Sequence, residues 1–327
     1  MTTLTLSRAI NEGLRKALES DPKVMIMGED VGKLGGVFRV TDGLQKDFGE
    51  HRVVDTPLAE SGIIGTAVGL ALRGYRPVCE IQFDGFVFPA FDQIVSQVAK
   101  MRYRSRGLVT LPMVIRIPFG GGIGAVEHHS ESPEALFAHI PGLRVVACAN
   151  AAEAYTMIQQ SIASEDPVIF FEPKRRYWDK AEVDMSASLA DALPLEMGSV
   201  VMAGNDVTVL TYGPLVRTCL EAAAAAREEG RSIEVINLRS LSPVDMATIT
   251  ASVAKTGRCV VVHEAPVYGG LGAEIAARVT QECFYQLEAP VLRVGGFAVP
   301  YPPARLEEHH LPDLDRVLDA VDRTFGY

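Results

Sequence analysis

The sequence holds only five cysteines, Cys79, Cys148, Cys219, Cys259 and Cys283, and no two of them form a CxxC pair. An odd, scattered set suggests neither a disulfide framework nor a zinc site; it reads as small apolar core residues in a reducing compartment. The opening MTTLTLSRAINEGLRKAL lacks the basic start and apolar stretch of a secretory signal. No apolar run approaches the roughly 20 residues that span a bilayer. The expectation is a soluble, cytoplasmic bacterial chain with no targeting segment. Positive charge is also in short supply: 31 Lys and Arg stand against 41 Asp and Glu, a net charge of −10. That balance argues against nucleic acid or an anionic membrane as the main partner. There is no GxxxxGK followed by Ser or Thr and no GxSxG, so neither a phosphate-cradling nucleotidase nor the commonest hydrolase nucleophile is supported. Internal repeats and low-complexity stretches are absent too.

What is present is a globular composition, with 48% apolar and 22% charged residues. The 327 residues exceed the roughly 100–200 of one ordinary domain, and at this size about 75% of the unfolded surface can be buried. Two domains are therefore expected.

A first helix capped by Ser7 carries Ile10, Leu14 and Leu18 on one face. Strands are expected at 24–27, 78–83, 113–119, 144–149 and 168–173, with helices at 61–73, near 89–105 and at 151–163. The 61–73 segment alternates bulky groups with Gly62, Gly65, Ala67, Gly69 and Ala71, a composition suited to a fully buried helix. After Pro173 the pattern fades into a charged, aperiodic linker. A second series begins near Val200: strand 206–213, helix 215–230 ending at Gly230, strand 233–238, a helix opened by Pro243, strand 258–264 and helix 273–282. Apolar strands alternating with helices imply parallel sheets covered on both faces. The fold class is α/β, with two doubly wound, mostly parallel-sheet domains at 1–175 and 198–327 and a linker at 176–197.

Several constellations invite chemistry. GGGIGA (120–125) matches GxGxxA after a strand, yet the following EHHSESP has no apolar face and is interrupted by Pro133. A loop that lets another chain or a ligand approach the backbone fits better than a dinucleotide turn. Gly269-Gly270-Leu271-Gly272 reads as a plain strand-to-helix turn. Glu60 either complements the dipole of the helix it precedes or, desolvated with a raised pKa, exchanges a proton near neutral pH. His128-His129 is either an exposed loop pair or contains a general acid or base; adjacent histidines are poor joint ligands of one metal. His309-His310 reads as a solvated surface pair. Phe83, Phe86, Phe88 and Phe91 either pack in the core or present a flat face to a cofactor ring.

TPLAESGIIGTAVGLALRG (56–74), EIQFDGFVFPAFDQIVSQVAK (80–100), HHSESPEALFAHIPGLRVV (128–146) and DPVIFFEPKRRYW (166–178) occur in that order. Together, over essentially the whole chain, they resemble the β subunit of thiamine-diphosphate-dependent 2-oxoacid dehydrogenases. This is the decarboxylating component of the large lipoyl-using complexes. HHSESPEALFAH is more similar to the branched-chain enzyme than to the pyruvate enzyme. The resemblance implies a transketolase-like pyrimidine-binding domain followed, at 196–327, by a transketolase C-terminal domain that supports β–β contact and docking of the acyltransferase core.

The resemblance also assigns residues. Glu60 matches the glutamate that hydrogen-bonds the aminopyrimidine ring and thereby promotes deprotonation of the thiazolium carbon. Phe86 falls at the aromatic position facing the pyrimidine, Leu58 contributes its backbone, and Gln82 joins the cofactor-binding set. His129 matches the proton donor in reductive acylation of the lipoyl group, although the usual Ser-Gln that follows is Ser130-Glu131 here. Met113, Val114, Ser161, Ser164 and Asp166 match the surroundings of a structural potassium ion. The GDG motif that holds magnesium and the diphosphate is missing. An α subunit is therefore implied to supply that half of the site and most of the Mg2+ binding, in an α2β2 assembly acting on a small 2-oxoacid. A pyruvate or acetoin enzyme, a non-catalytic scaffold and a nicotinamide oxidoreductase using Gly120–Gly124 are the competing readings.

Overall fold

A computed structural model describes residues 1–327. The chain opens with strand β1 (Thr2–Thr5) and helix 6–20, whose cap is Thr5 rather than Ser7: the Thr5 hydroxyl accepts the Arg8 amide at 3.2 Å. Ser7 lies one residue inside, where its hydroxyl meets that of Thr5. Leu6, Ile10 and Leu14 recur every fourth residue and are completely buried, each worth roughly 1.5–3 kcal/mol.

The first sheet takes β2 (Val24–Gly28), β3 (Val53–Asp55), β4 (Arg76–Glu80), β5 (Val114–Phe119), β6 (Arg144–Ala147) and β7 (Val168–Pro173), all mutually parallel. Their order, β6-β7-β5-β4-β2-β3, reverses direction between β2 and β4. In an open α/β sheet the crevice at such a reversal is where ligands bind. The expected linker is partly ordered, since β8 (Lys180–Val183) pairs antiparallel with β1 and ties the chain's start to its middle.

The second sheet contains β9 (Ser199–Met202), β10 (Val207–Thr211), β11 (Ile233–Asn237), β13 (Cys259–Pro266) and β14 (Leu292–Gly296), in the order β14-β13-β10-β11-β9. Only the edge strand β9 runs antiparallel. One strand crosses over: β12 (Ser240–Ser242) leaves the second domain and pairs antiparallel with β6, covering the free edge of the first sheet. The helix after it starts at Met246 under an Asp245 cap rather than being opened by Pro243.

Two further expectations change. Helix 60–72 is only half buried, because Ile63, Ile64, Ala67, Val68 and Ala71 face inward while Gly62 and Gly69 stay exposed. The helix expected near 89–105 is a succession of a 3-10 segment (84–90), a short α turn, a π turn (94–98) and an α turn (101–104). The π turn is closed by Ala99 N–H donating to Ile94 O.

Three apolar clusters hold the layers together. The largest, with 38 buried residues, is shared by both sheets, exceeding the 27 and 15 that lie on their outer faces. The two domains therefore share one core. All five cysteines are buried and unpaired, as expected.

Within the first sheet, neighbouring strands β4, β5 and β7 contribute Glu80, Arg116 and Glu172. Arg116 is fully buried; it donates through Nη1 to Glu80 Oε2 at 2.6 Å and through Nε to Glu172 Oε1 at 2.6 Å. Tyr177 completes the set by donating its hydroxyl to Glu172 Oε2 at 2.7 Å. Burial raises the Glu80 carboxyl against the pull of Arg116, and the two carboxylates hold the guanidinium firmly charged. Replacing Arg116 by Met leaves two buried acids without their cation. The expected loss is about 3–5 kcal/mol in urea unfolding monitored by circular dichroism, far above the cost of a surface arginine.

Candidate active site

The loops that follow the carboxyl ends of the parallel strands carry the candidate residues. After β2 come Glu29 and Asp30. After β3 come Leu58 and Glu60, and after β4 come Gln82, Phe83, Asp84 and Phe86. The glycine loop and His129 follow β5, and Lys174 and Arg175 follow β7.

Glu60 is the first residue of helix 60–72, whose cap, Ala59, has no capping side chain. The residue is 8% exposed, and its carboxylate stands at the helix start without a hydrogen-bond partner in the chain. Burial and the negative charges of Glu60 and Asp30 raise the carboxyl of Glu29, in the turn that follows β2. Gln82 reaches the same turn, its Nε2 donating to Asp30 Oδ2 at 3.2 Å. Leu58 is 81% exposed, and Phe86 is half buried on the core.

The aromatic cluster does two jobs. Phe91 packs edge-on to the buried Phe137, a core contact. Phe83 stacks face to face with the His129 ring at 4.0 Å between centroids and 13° between planes, and Phe86 meets the same ring edge-on at 5.0 Å. The flat aromatic face therefore supports the imidazole within this chain. His129 Nδ1 lies 2.9 Å from the carbonyl of His128, which leaves Nε2 free of protein partners. His128 is exposed.

Sequence reasoning passed over the pair that holds this loop in place. Lys174 and Asp84 form an ion pair that is completely buried. Lys174 Nζ also donates to the His129 carbonyl at 2.6 Å, and Asp84 Oδ2 accepts the Glu131 amide at 2.8 Å. Burial disfavours the charge on both partners, pushing Asp84 up to about 6 and Lys174 down, while each partner's charge opposes the shift of the other. Gly85 is needed beside Asp84, since a Cβ there would come within 2.3 Å of the His128 carbonyl. Glu131 acts through its backbone in these contacts, so Glu in place of the usual Gln leaves them intact.

The glycine loop is taken by the chain itself. Gly121 donates to Glu264, and Gly122 and Gly124 donate to Glu307 at 2.7 and 3.0 Å. With carboxylates on those amides, a pyrophosphate has no place there, and the dinucleotide reading fails. Gly269–Gly272 is the plain turn into helix 271–282. His310 departs from expectation: it is 5% exposed and stands edge-on to Tyr301, whereas His309 is exposed. A cavity of about 220 Å³ opens between the domains beside Ser130, Ser132, Leu136, Glu264, Tyr301 and His310.

Of the expected potassium residues, Ser161, Ser164 and Asp166 lie at the turn from helix 151–163 into β7, and Met113 and Val114 at the start of β5. The Met113 carbonyl already accepts Val168 N–H, and the hydroxyls of Ser161 and Ser164 donate to Met157 O and Asp166 O. Val114 is a paired strand residue. The Asp166 carboxylate faces Arg102 and Arg144. Two guanidiniums beside the set's one acid make it a poor fit for a cation, and no step is assigned to potassium.

Residues 2–179 match the family model described as "Transketolase, pyrimidine binding domain", and residues 197–317 match "Transketolase, C-terminal domain". The chain is 60% identical over 325 residues to the "Pyruvate dehydrogenase E1 component subunit beta" of Leifsonia xyli subsp. xyli, covering 99% of this chain and 96% of that protein. It belongs to the β subunits of the 2-oxoacid dehydrogenases. It is also 55% identical over 322 residues to the "3-methyl-2-oxobutanoate dehydrogenase subunit beta" of Mycobacterium tuberculosis, covering 98% of this chain and 92% of that one. A solved structure titled "Split gene transketolase, inactive beta4 tetramer" superimposes with a TM-score of 0.79 at 25% identity, over 99% of this chain and 98% of that one. This β-subunit fold has no helix long and apolar enough to cross a membrane.

One buried acid reports on how the two domains of this β subunit meet. Glu134, fully buried, accepts the Tyr212 hydroxyl of the second domain at 2.5 Å. Burial pushes its carboxyl up to about 7, against the lowering effect of that hydrogen bond. The folded state therefore binds a proton more tightly than the unfolded chain, whose Glu titrates near 4.5. Stability from this group is full below that value and is lost as pH rises toward 7, by up to about 3 kcal/mol. Glu134→Gln is expected to remove that part of the slope between pH 5 and 8 in thermal melts and to be the more stable form at pH 8.

Proposed function

We propose that this chain is the β half of a branched-chain 2-oxoacid dehydrogenase. Working with an α subunit in an α2β2 assembly, it oxidatively decarboxylates a branched 2-oxoacid and reductively acylates lipoyl groups of an acyltransferase core. The observation that carries the reading is Glu60: a carboxylate without an internal partner on a largely buried residue, beside exposed Leu58, at the crevice where the strand order reverses. A carboxylate so placed fits a protonated ring nitrogen of the cofactor's pyrimidine, with Phe86 and the Leu58 backbone beside it. Thiamine diphosphate, when bound, supplies the carbon nucleophile and the electron sink for loss of carbon dioxide.

This chain's own residues do the rest. Glu60 holds a proton at the pyrimidine nitrogen. His129, its ring fixed between Phe83 and Phe86 and its Nδ1 directed to the His128 carbonyl, offers Nε2 as the proton-delivering atom toward a lipoyl sulfur. The acidic surface, net −10, suits the chain poorly for the diphosphate, which with Mg2+ falls to the α subunit. HHSESPEALFAH and the 3-methyl-2-oxobutanoate relative support the branched-chain substrate. The 60% identical pyruvate-type relative supports a second reading with the same mechanism and a smaller pocket.

Two assays on the enzyme assembled with its α subunit test this. Decarboxylation of 3-methyl-2-oxobutanoate should exceed that of pyruvate; a strong pyruvate preference sinks the branched-chain reading. Glu60→Ala should lower turnover by about 10²–10⁴-fold and abolish the spectral change on cofactor binding. Unchanged turnover and spectra would instead favour a scaffold subunit.

A further inference from the structure

The loop that carries His129 is gripped by the second domain. Gly120 donates its amide to the Glu131 carbonyl at 2.8 Å, which closes the base of a loop spanning 121–130. Along its rising limb, Gly120, Gly122 and Gly124 adopt φ of +79°, +86° and +69°, and these left-handed turns leave the amides of Gly121, Gly122 and Gly124 free to meet carboxylates of the second domain. Glu264, in β13, takes the amide of Gly121; Glu307 takes those of Gly122 and Gly124; Tyr301 donates its hydroxyl to Glu307 Oε1 at 2.7 Å. Tyr301 lies so close over the loop that a Cβ on Gly121 would fall 1.7 Å from its hydroxyl oxygen.

In the second sheet the strand order reverses between β10 and β13, so the crevice past their carboxyl ends is where such a sheet would take a ligand. Glu264 sits at the end of β13 and Tyr212 just after β10, and both point their polar atoms into the first domain instead. Glu264 Oε2 also lies 3.3 Å from Arg175 Nη2, and Arg175 adjoins the lysine that holds the His129 carbonyl. Gly122 and Gly124 are exposed, so water would satisfy their amides if Glu307 were absent. Each of those bonds then adds only about 0.5–1.5 kcal/mol to stability. What they do fix is where the loop stands.

We propose that Glu307, Glu264 and Tyr301 are positioning residues that hold the glycine loop, and through it His129, in its working place. The second domain then takes part in acyl transfer to the lipoyl group as well as in assembly. This rests on the reading of His129 as the proton donor.

The test uses the β chain assembled with its α subunit. In Glu307→Ala the amides of residues 121–129 should exchange with deuterium about tenfold faster, with the melting temperature within a few degrees of the parent. Lipoyl acylation should fall about 10–100-fold while decarboxylation with an artificial electron acceptor stays within about twofold, since a small misplacement of a catalytic group is costly. Glu307→Gln keeps one acceptor oxygen for the loop and should recover part of the acylation rate. Tyr301→Phe, which removes only a hydroxyl, should show the same pattern more weakly and serves if Glu307→Ala fails to fold. Unchanged loop exchange, or equal loss in both assays, overturns the proposal. His129→Ala is measured alongside: if it still acylates, the role given to His129 falls, while the exchange rates still decide whether the clamp holds the loop.

Discussion

A guanidinium cannot be left uncompensated inside a sheet, and much of this structure follows from where Arg116 finds its partners. It lies on β5 between Glu80 of β4 and Glu172 of β7, so satisfying one charge fixes three strands against one another. Each of those strands then delivers part of the site from its carboxyl end. The turn with Gln82 and Asp84 leaves β4, the glycine loop leaves β5, and Lys174 leaves β7. Desolvation makes the triad costly to form and more costly to break, so it acts less as a store of stability than as a way of permitting one register.

A second ion pair, Lys174 with Asp84, repeats the same logic past the carboxyl ends of β4 and β7. Two groups that burial alone would neutralise stay charged because each is the other's counterion, and their spare hydrogen-bonding capacity goes to the backbone of the histidine loop. The second domain joins in from the other side with Glu264 and Glu307. Together these contacts explain how an exposed, glycine-rich loop can present an imidazole in a fixed pose on Phe83.

The elements most legible in the sequence were those whose apolar spacing matches their burial. Helix 151–163 and strand 168–173 lie where the pattern puts them, because every turn or every residue of them faces a core. Strand β12 was not legible: three residues, two of them serines, owe their conformation to a partner from the other domain. Helix 314–323 has a clear stripe of Leu314, Val317, Leu318 and Val321 and was passed over. At the site, Glu60 and His129 stood out only once the family resemblance gave their neighbours meaning. The contacts that hold the His129 loop join residues 90, 143 and 185 positions apart, and no local signal encodes such pairs.

The excursion of β12 also bears on how the chain is made. Residues 1–173 contain every parallel strand of the first sheet, yet during synthesis that sheet has a bare edge at β6 until Ser240–Ser242 emerges behind it. The shared apolar cluster is likewise incomplete until β10, β11 and β13 arrive. The first half therefore cannot finish folding ahead of the second. From the completion of β7 until β12 and β13 emerge, the growing chain carries an unpaired strand edge and an open apolar face, the state in which wrong pairing with another nascent chain is most damaging.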